Sequence, residues 1–445
     1  MDFASTTPDS ASPHAAEVTP GGSAAPVWDV YSRRQRRLFL LILFLVSLSN
    51  YVDRTIVGVL LEPIKNEFRV SDTMLGFLTG IAFTLFYATL GIPIARWADR
   101  GDRRLIITAA LAIWSMMTIL CGAAQSFWQL ALMRVGVAVG EAGAIPPSQS
   151  LLADYYAPER RAKALGILLM SATLSYLLGL GLGGWVAQNY GWRTAFVAAG
   201  APGLLLAMFV FLMLHEPRRM AAFTVRPDDT ESVAAAVKAL SKKKAYVRIL
   251  ISMILHSLMS SGAIVFIISF MTRLHGLSLA QAGALFGAVA AAGSITGNLL
   301  GGAAADWLAK KDVAWFGRLS GYSLLLCWPL FLSAFLAPSV AVMAPMLLLA
   351  FILMTAANAP IYSALHFVCG SKRRATAVAL ILLLTNLIGF GLGPIAVGAL
   401  SDTLAGLYGP GEGLRYALAA IMVLFVPSGL VMLAAARQIA ADAED

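Results

Sequence analysis

Three ionisable residues lie inside apolar, helix-length stretches of this chain. Arg134 and Glu141 belong to the segment 130–156, LALMRVGVAVGEAGAIPPSQSLLADYY, and Asp53 follows Asn50-Tyr51-Val52 in an earlier apolar segment. Seven residues are about two helical turns, so Arg134 and Glu141 project from one side of a helix. A charge at the centre of a membrane-spanning helix costs roughly 2.5–3.5 kcal/mol and usually faces a partner or a water-filled cavity. The pattern therefore predicts a polar functional site within a membrane domain.

The chemistry that this trio could perform is proton transfer. A carboxyl group can take up a proton, whereas arginine stays charged. Burial favours the neutral form of a carboxyl group, and a neighbouring guanidinium favours the charged form. If Arg134 pairs with only one carboxylate at a time, Asp53 and Glu141 would exchange a proton as the conformation changes. Two alternatives stay open: Arg134 and Glu141 pair only to fix helix packing, or Arg54 neutralises Asp53.

Depth along the helices indicates which of these groups can meet. Asp53 lies eight residues from the predicted outer end of its segment, and Arg134 lies seven residues from the outer end of an antiparallel one. At 1.5 Å per residue both sit roughly 10–12 Å below the surface, with Glu141 about 10 Å deeper. The count predicts direct contact between Asp53 and Arg134 in at least one state.

Composition places these segments in a polytopic membrane protein. Of 445 residues, 59% are hydrophobic and 13% charged, against about 45–50% and 25% in soluble domains. Apolar runs near 20 residues long recur along the chain, which is the length that a membrane span requires. We predict twelve spans, at about 38–61, 74–97, 104–124, 127–153, 162–187, 193–214, 247–272, 280–305, 316–336, 341–367, 375–399 and 414–436.

The basic residues predict the orientation of these spans. With a cytoplasmic N-terminus, 26 of the 33 Lys and Arg residues fall on the inside and five on the outside. Such a bias indicates a multi-pass protein of the cell membrane with both termini cytoplasmic. The net charge of +9 is then a topology signal and not a nucleic-acid surface. The predicted regions are a disordered tail 1–32, a first half 33–214, a central loop 215–245, a second half 246–437 and a tail 438–445.

The two halves contain similar loops at corresponding positions. The loop after span 2 reads ARWADRGDRR and contains Asp99; the loop after span 8 reads GAAADWLAKK and contains Asp306, 207 residues later. Parallel six-span repeats with a substrate site between the halves are a transporter architecture. A short amphipathic helix on the membrane surface is predicted near Thr230–Leu240 of the central loop.

Loops of the type Gly-x-x-x-Asp-Arg-x-Gly-Arg-Arg after spans 2 and 8 resemble the major facilitator superfamily. Here the first Gly is Ala95, and the second is displaced to Gly101. The resemblance implies an all-α membrane protein with twelve transmembrane helices in two pseudo-symmetric halves. The Asn50–Arg54 stretch and the Arg134-x-Gly-x-x-x-Gly-Glu141 motif resemble the spinster-like lipid transporters. That likeness implies proton-coupled alternating access, with Asp53, Arg134 and Glu141 as the coupling residues and a lysophospholipid or sphingolipid-like substrate.

Further candidates surround this trio. Head-group or polar substrate contacts are predicted at Arg134, Tyr51, His256, Asn358, Tyr362, His366 and Asn386, and acyl-chain contacts at Phe83, Phe86 and Tyr87. A cytoplasmic gate is predicted at Asp99, Arg100, Arg103 and Asp306, with Asp99 holding the start of span 11. Each of these could instead be an ordinary core or topology-setting residue.

Other function classes find little support in the sequence. No Walker loop is present, and none of the five histidines lies in a nucleophile or metal motif, so we expect neither an ATP-driven pump nor an enzyme. The expected energy source is the proton gradient, without cofactor or metal. The expected partners are a small-molecule or lipid substrate, protons and the bilayer, with no nucleic acid and a monomeric chain. A sugar or organic-anion carrier and a non-transporting receptor or scaffold are the alternatives.

Overall fold

In the described part of the chain, twelve helices occupy the positions of the predicted spans, and eleven of them are long enough and apolar enough to cross a membrane. The computed structural model describes Trp28 and residues 30–217 and 232–442, so most of the predicted tail 1–32 and residues 218–231 of the central loop lie outside the described residues. The helices are α1 Arg33–Phe68, α2 Asp72–Ala98, α3 Arg103–Cys121, α4 Phe127–Glu141 with Ile145–Tyr155, α5 Pro158–Tyr190, α6 Trp192–Met213, α7 Lys244–His275, α8 Leu279–Ala309, α9 Trp315–Phe335, α10 Val340–Gly370, α11 Thr376–Tyr408 and α12 Pro410–Ala436. The prediction of twelve spans is confirmed.

Polar caps fix where several helices begin. The Ser32 hydroxyl accepts from the Gln35 amide while the Gln35 side chain accepts from the Ser32 amide, and Ser278 and Gln281 repeat this box at α8. Ser126 caps α4 in a simpler way. Such caps satisfy amide groups that the first helical turn leaves free. At α4 and α8 the capped helix starts lie within one residue of the predicted span starts, 127 and 280.

The two halves carry matching irregularities. α5 contains a π-helical turn at Tyr176–Leu182, and α11 contains one at Thr385–Phe390. These turns lie at corresponding positions, 209 residues apart by their first residues. The turn in α5 packs against α8 of the other half, where a Cβ on Gly283 or Gly287 would overlap its carbonyl oxygens. Small residues thus allow the halves to approach closely.

An ionic network joins the halves at the end where α1 finishes and α2 begins, which we call the far end. Arg273 of α7 pairs with Glu62 of α1 at 2.6 Å and with Asp72 of α2 at 2.7 Å. Lys65 also pairs with Asp72. Asp402 of α11 accepts hydrogen bonds from the Asp72 and Thr73 amides at 2.9 and 2.8 Å. The bundle is therefore closed at the far end.

A short helix, Val233–Lys242, precedes α7 within the region predicted to form one. Its buried residues Ala236 and Leu240 face the protein, and the helix packs against the segment that links α10 and α11. Lys243, which follows it, donates to the Val368 carbonyl oxygen at 2.6 Å. The predicted amphipathic element is thus confirmed as a helix.

Candidate functional site

A cavity of about 310 Å³ lies between the halves. Its wall is formed by α1, α2, α4 and α5 on one side and by α7 and α11 on the other. Five of the predicted substrate residues line it, namely Tyr51, Phe83, Tyr87, Arg134 and Asn386. Between these polar groups the wall is apolar, with Leu180, Ile264, Val265 and Phe390. The cavity thus combines two guanidinium groups, Arg54 and Arg134, with an apolar and aromatic surface.

Glu141 is held by Arg54, a residue that the sequence did not single out for the site. Arg54 Nε donates to Glu141 Oε2 at 2.6 Å. Glu141 is fully buried, whereas the Arg54 side chain is 27% exposed towards the cavity. The Arg54 guanidinium carbon also lies 4.3 Å from the Tyr87 ring centroid and 5.2 Å from that of Phe83. Arg54 therefore links the buried carboxylate to the aromatic wall of the cavity.

The direction of side chains along a helix explains this pairing. Side chains lean towards the N-terminus of their own helix. In α1 that lean carries Arg54 away from the far end, and in the antiparallel α4 it carries Glu141 towards the far end. The guanidinium and the carboxylate therefore converge although their backbone depths differ. Counting backbone depth alone placed Glu141 about 10 Å deeper than Asp53 and Arg134.

Arg134 contacts Asp53 through the main chain. Its Nη1 donates to the Asp53 carbonyl oxygen at 3.4 Å, and its guanidinium carbon lies 5.1 Å from the Phe83 ring centroid. Among the described residues, Arg134 Nε has no hydrogen-bond partner. The expected contact is thus present, but to the backbone and not to the carboxylate. Pairing of the two side chains in another state stays a prediction.

The Asp53 carboxylate is fully buried beside α3. Trp114 and Thr118 lie within reach of it, yet within the described part of the chain neither Asp53 oxygen has a hydrogen-bond partner, nor do Trp114 Nε1 and Thr118 Oγ1. Asn50, one turn earlier on α1, is also fully buried with its amide unpartnered there. Unsatisfied buried polar groups cost about 1–3 kcal/mol each and are rare in folded proteins. Polar groups are therefore concentrated in the buried α1–α3–α4 contact beside the cavity.

Close helix contacts bring these groups together. A Cβ on Gly140 would lie 2.6 Å from the Trp114 backbone nitrogen, so glycine lets α4 press against α3 immediately before Glu141. A Cβ on Gly179 would overlap the Thr55 hydroxyl, so α5 presses equally closely on α1. The glycines therefore set the positions of the charged residues on α1 and α4.

The predicted gate residues behave differently from one another. Arg103 is fully buried, and its Nη2 pairs with Asp154 at 2.6 Å and with Glu216. Asp154 belongs to the first half and Glu216 to the segment directly after it, so Arg103 ties α3, α4 and the segment after α6 together. The side chains of Asp99 and Arg100 lie outside the described ones.

The second-half gate residue, Asp306, is exposed and forms no ion pair with any described residue. The gate assignment of all four residues stays a prediction.

Five other predicted contact residues lie outside the cavity wall in this conformation, as far as the described residues show: Phe86, His256, Asn358, Tyr362 and His366. Phe86 and His366 are exposed. The His256 ring packs edge-on against Phe425 at 6.0 Å. Their roles as substrate contacts stay predictions.

Comparison with known proteins agrees with this architecture. The family model of the Major Facilitator Superfamily matches residues 43–394. An "MFS-type efflux pump" of Mycolicibacterium smegmatis is 35% identical over 82% of this chain and 84% of its own length. "Protein spinster homolog 3" of Danio rerio is 26% identical over 86% of this chain and 80% of its own length.

A solved structure gives the same result. A bacterial homolog of the human lysosomal transporter Spinster, described as inward-facing and unoccupied, superposes with a TM-score of 0.83 at 33% identity. The match covers 93% of this chain and all of that one. These matches support secondary transport and not an enzymatic activity. The chain belongs to the Major Facilitator Superfamily, and within it the chain is similar to the spinster-like proteins.

Proposed function

We propose that this chain is a proton-coupled secondary transporter of an amphipathic lipid, such as a lysophospholipid or a sphingolipid-like molecule. The observation that carries the proposal is the placement of two buried carboxyl groups, Asp53 and Glu141, directly behind a cavity wall that contains Arg54 and Arg134. Movement of α1 against α4 changes which carboxylate each guanidinium can reach. Such a dependence is what couples proton binding to conformation.

The two carboxyl groups differ in their partners. Glu141 has a guanidinium at 2.6 Å, which favours its charged form. Asp53 has no ionic partner within hydrogen-bonding distance among the described residues, and a charged carboxylate without partners is costly in an apolar interior. We therefore assign the bound proton to Asp53 in this conformation. When the halves rock to the opposite state, Arg134 would reach the Asp53 carboxylate and release that proton.

The cavity supports an amphipathic substrate. Arg54 and Arg134 contribute guanidinium groups to the cavity wall, and such groups suit a phosphate or carboxylate. The apolar wall suits the beginning of an acyl chain. At about 310 Å³ the cavity is at the small end of ligand pockets, so a long chain would extend beyond it. The similarity to spinster proteins supports the lipid class.

An organic-anion carrier is the second candidate. A cis,cis-muconate transport protein of Acinetobacter baylyi is 29% identical over 48% of this chain, and Arg54 and Arg134 together could bind a small dicarboxylate. The volume of the central cavity would be sufficient for such a small dicarboxylate, and the apolar wall would contribute little to its binding.

Binding measurements in nanodiscs separate these candidates. A series of lysophospholipids with one head group and tails of increasing length is titrated against muconate. For a lipid carrier, affinity rises with each added methylene until the apolar surface is filled, and muconate does not compete. Arg134→Gln weakens binding of every member, whereas Arg193→Gln, at an exposed far-end site, leaves it unchanged. Affinity independent of tail length, with competition by muconate, would favour the organic-anion carrier.

A further inference from the structure

A second cavity lies on the outer side of the first half, away from the central one. It has a volume of about 560 Å³ and is formed by α1, α5 and α6. Its rim is exposed on the side of the bundle, with Leu182 58% and Leu205 63% exposed. We call it the lateral groove. Since these helices span the membrane, the lateral groove faces the acyl region of the bilayer.

Small residues and a helix irregularity create the lateral groove. The π-helical turn of α5 leads into Gly183, where a Cβ would lie 2.8 Å from Ile56 of α1. On α6, Ala198 and Ala199 leave the space that larger side chains would fill. The walls are apolar almost throughout, with Ser49 as the hydroxyl-bearing residue. This surface matches a hydrocarbon chain and offers almost nothing to a polar ligand.

A continuous apolar stripe leads from the lateral groove to a basic residue. Residues at intervals of three or four share one face of a helix. On α1 this face contains Arg34, Leu38, Leu41, Leu45, Leu48 and Val52. Leu45, Leu48 and Val52 line the lateral groove, and Leu38 and Leu41 are 39% and 52% exposed. Arg34 is exposed at the start of the helix, where the stripe ends.

We propose that the lateral groove binds one acyl chain of an anionic phospholipid, whose phosphate is held by Arg34. The apolar groove takes the chain, the stripe on α1 takes its first methylenes, and the guanidinium at the helix start takes the charge. Basic residues beside a membrane span attract anionic lipids. A guanidinium at one end and an almost wholly apolar groove at the other together fit a lipid with a charged head group and an acyl chain. A neutral lipid would leave the guanidinium unused.

The lateral groove shares a wall with the central cavity. Val52 and Ile56 face the lateral groove, whereas Tyr51 and Thr55 of the same turns face the central cavity. An acyl chain in the lateral groove thus packs on the back of the α1 segment that contains Asp53 and Arg54. This site is separate from the transport site, and the proposal does not depend on the identity of the transported substrate.

Photo-crosslinking tests the proposal with a defined probe. The protein is placed in nanodiscs containing phosphatidylglycerol with a diazirine on one acyl chain, and labelled peptides are mapped by mass spectrometry. We expect labels to concentrate on the α1 and α6 residues of the lateral groove. Ala198→Phe, which fills the groove, should remove most of this labelling. Ala201→Phe is the matched control, because Ala201 is exposed on the same helix but outside the groove.

The head-group part is tested separately. Arg34→Gln should lower groove labelling roughly fivefold, the effect of about one basic residue, to the level of a phosphatidylcholine probe with the same chain. Arg33→Gln should leave groove labelling unchanged, because residue 33 projects about 100° around the helix from Arg34. Arg34 is exposed, so this variant folds even if Ala198→Phe does not. Labelling spread evenly over exposed faces such as Leu299 and Leu300 of α8 would overturn the site. Equal labelling by both probes would overturn the head-group assignment.

Discussion

Removing the guanidinium of Arg54 should destabilise the protein by leaving Glu141 buried without its ionic partner. Breaking a buried ion pair by removing one side costs about 3–5 kcal/mol. The lower end of this range applies to the Arg54–Glu141 pair, because Arg54 is 27% exposed whereas Glu141 is fully buried. Loss of the contact with the Tyr87 ring at 4.3 Å adds about 1 kcal/mol. We expect Arg54→Leu to lose about 4 kcal/mol of unfolding free energy.

A double-mutant cycle isolates the pair itself. Replacing both partners with apolar residues removes the unpaired charge, so Arg54→Leu with Glu141→Leu should be far more stable than the sum of the single changes. We expect a coupling energy of about 2–3 kcal/mol. The measurement is the unfolding free energy in mixed micelles titrated with a denaturing detergent.

Arg134→Leu is the matched control. Arg134 also lies in the cavity wall, but its one hydrogen bond to a described residue is to a backbone carbonyl oxygen at 3.4 Å. Its removal should cost about 1 kcal/mol and should act on substrate binding instead. Equal losses of unfolding free energy in Arg54→Leu and Arg134→Leu would show that the Arg54–Glu141 pair does not stabilise the fold. A cycle that is additive within about 0.5 kcal/mol would show the same.

Four further predictions follow from particular contacts. Glu141→Gln should abolish the dependence of transport on a pH gradient while substrate binding persists; unchanged dependence in vesicle flux would exclude Glu141 from coupling. Asp72→Asn weakens the ion pair with Arg273 and should lengthen spin-label distances across the far end. Gly398→Leu should also lengthen these distances, because a Cβ at residue 398 would overlap the Asp72 carbonyl oxygen. Unaltered distances in either variant would refute the prediction for that variant. Arg103→Gln deprives Glu216 of a buried guanidinium and should cost about 3–5 kcal/mol of unfolding free energy, so an unchanged melting temperature would contradict its structural role.

Much of the fold follows from apolar runs and charge bias, because a membrane span must bury its backbone in a long helix. The break in α4 at residues 142–144 was not anticipated, since the apolar run continues through it. The π-helical turns of α5 and α11 were also missed. Both segments are rich in glycine, but glycine spacing alone does not distinguish close packing from a change in helical pitch.

The helices that contain the candidate site residues could be predicted from the sequence, whereas one of their pairings could not. The positions of Asp53, Arg134 and Glu141 on α1 and α4 are as expected, but the pairing of Glu141 with Arg54 is not. Backbone depth can be counted from sequence, whereas the lean and reach of a long side chain depend on helix direction. The signal was available: α1 and α4 are antiparallel, so the side chain of Arg54 leans towards the depth of Glu141 and the side chain of Glu141 leans towards the depth of Arg54.

The far-end network could not have been predicted. Arg273 and Asp72 are 201 residues apart in sequence, and Lys65 and Arg273 read equally well as charges that set topology. Nothing in their local sequence specifies a partner in the other half. Such contacts arise only when the helix ends of both halves meet.

In the proposed function, lipid movement is coupled to protons through Asp53 and Glu141. The most direct measurement reconstitutes the protein in vesicles, imposes a pH gradient, and records uptake of a fluorescent lysophospholipid together with internal pH. We predict uphill lipid accumulation with matching proton movement in the wild type, and neither in Asp53→Asn with Glu141→Gln. Accumulation that persists in this double variant, or lipid movement without any proton movement in the wild type, would contradict the account.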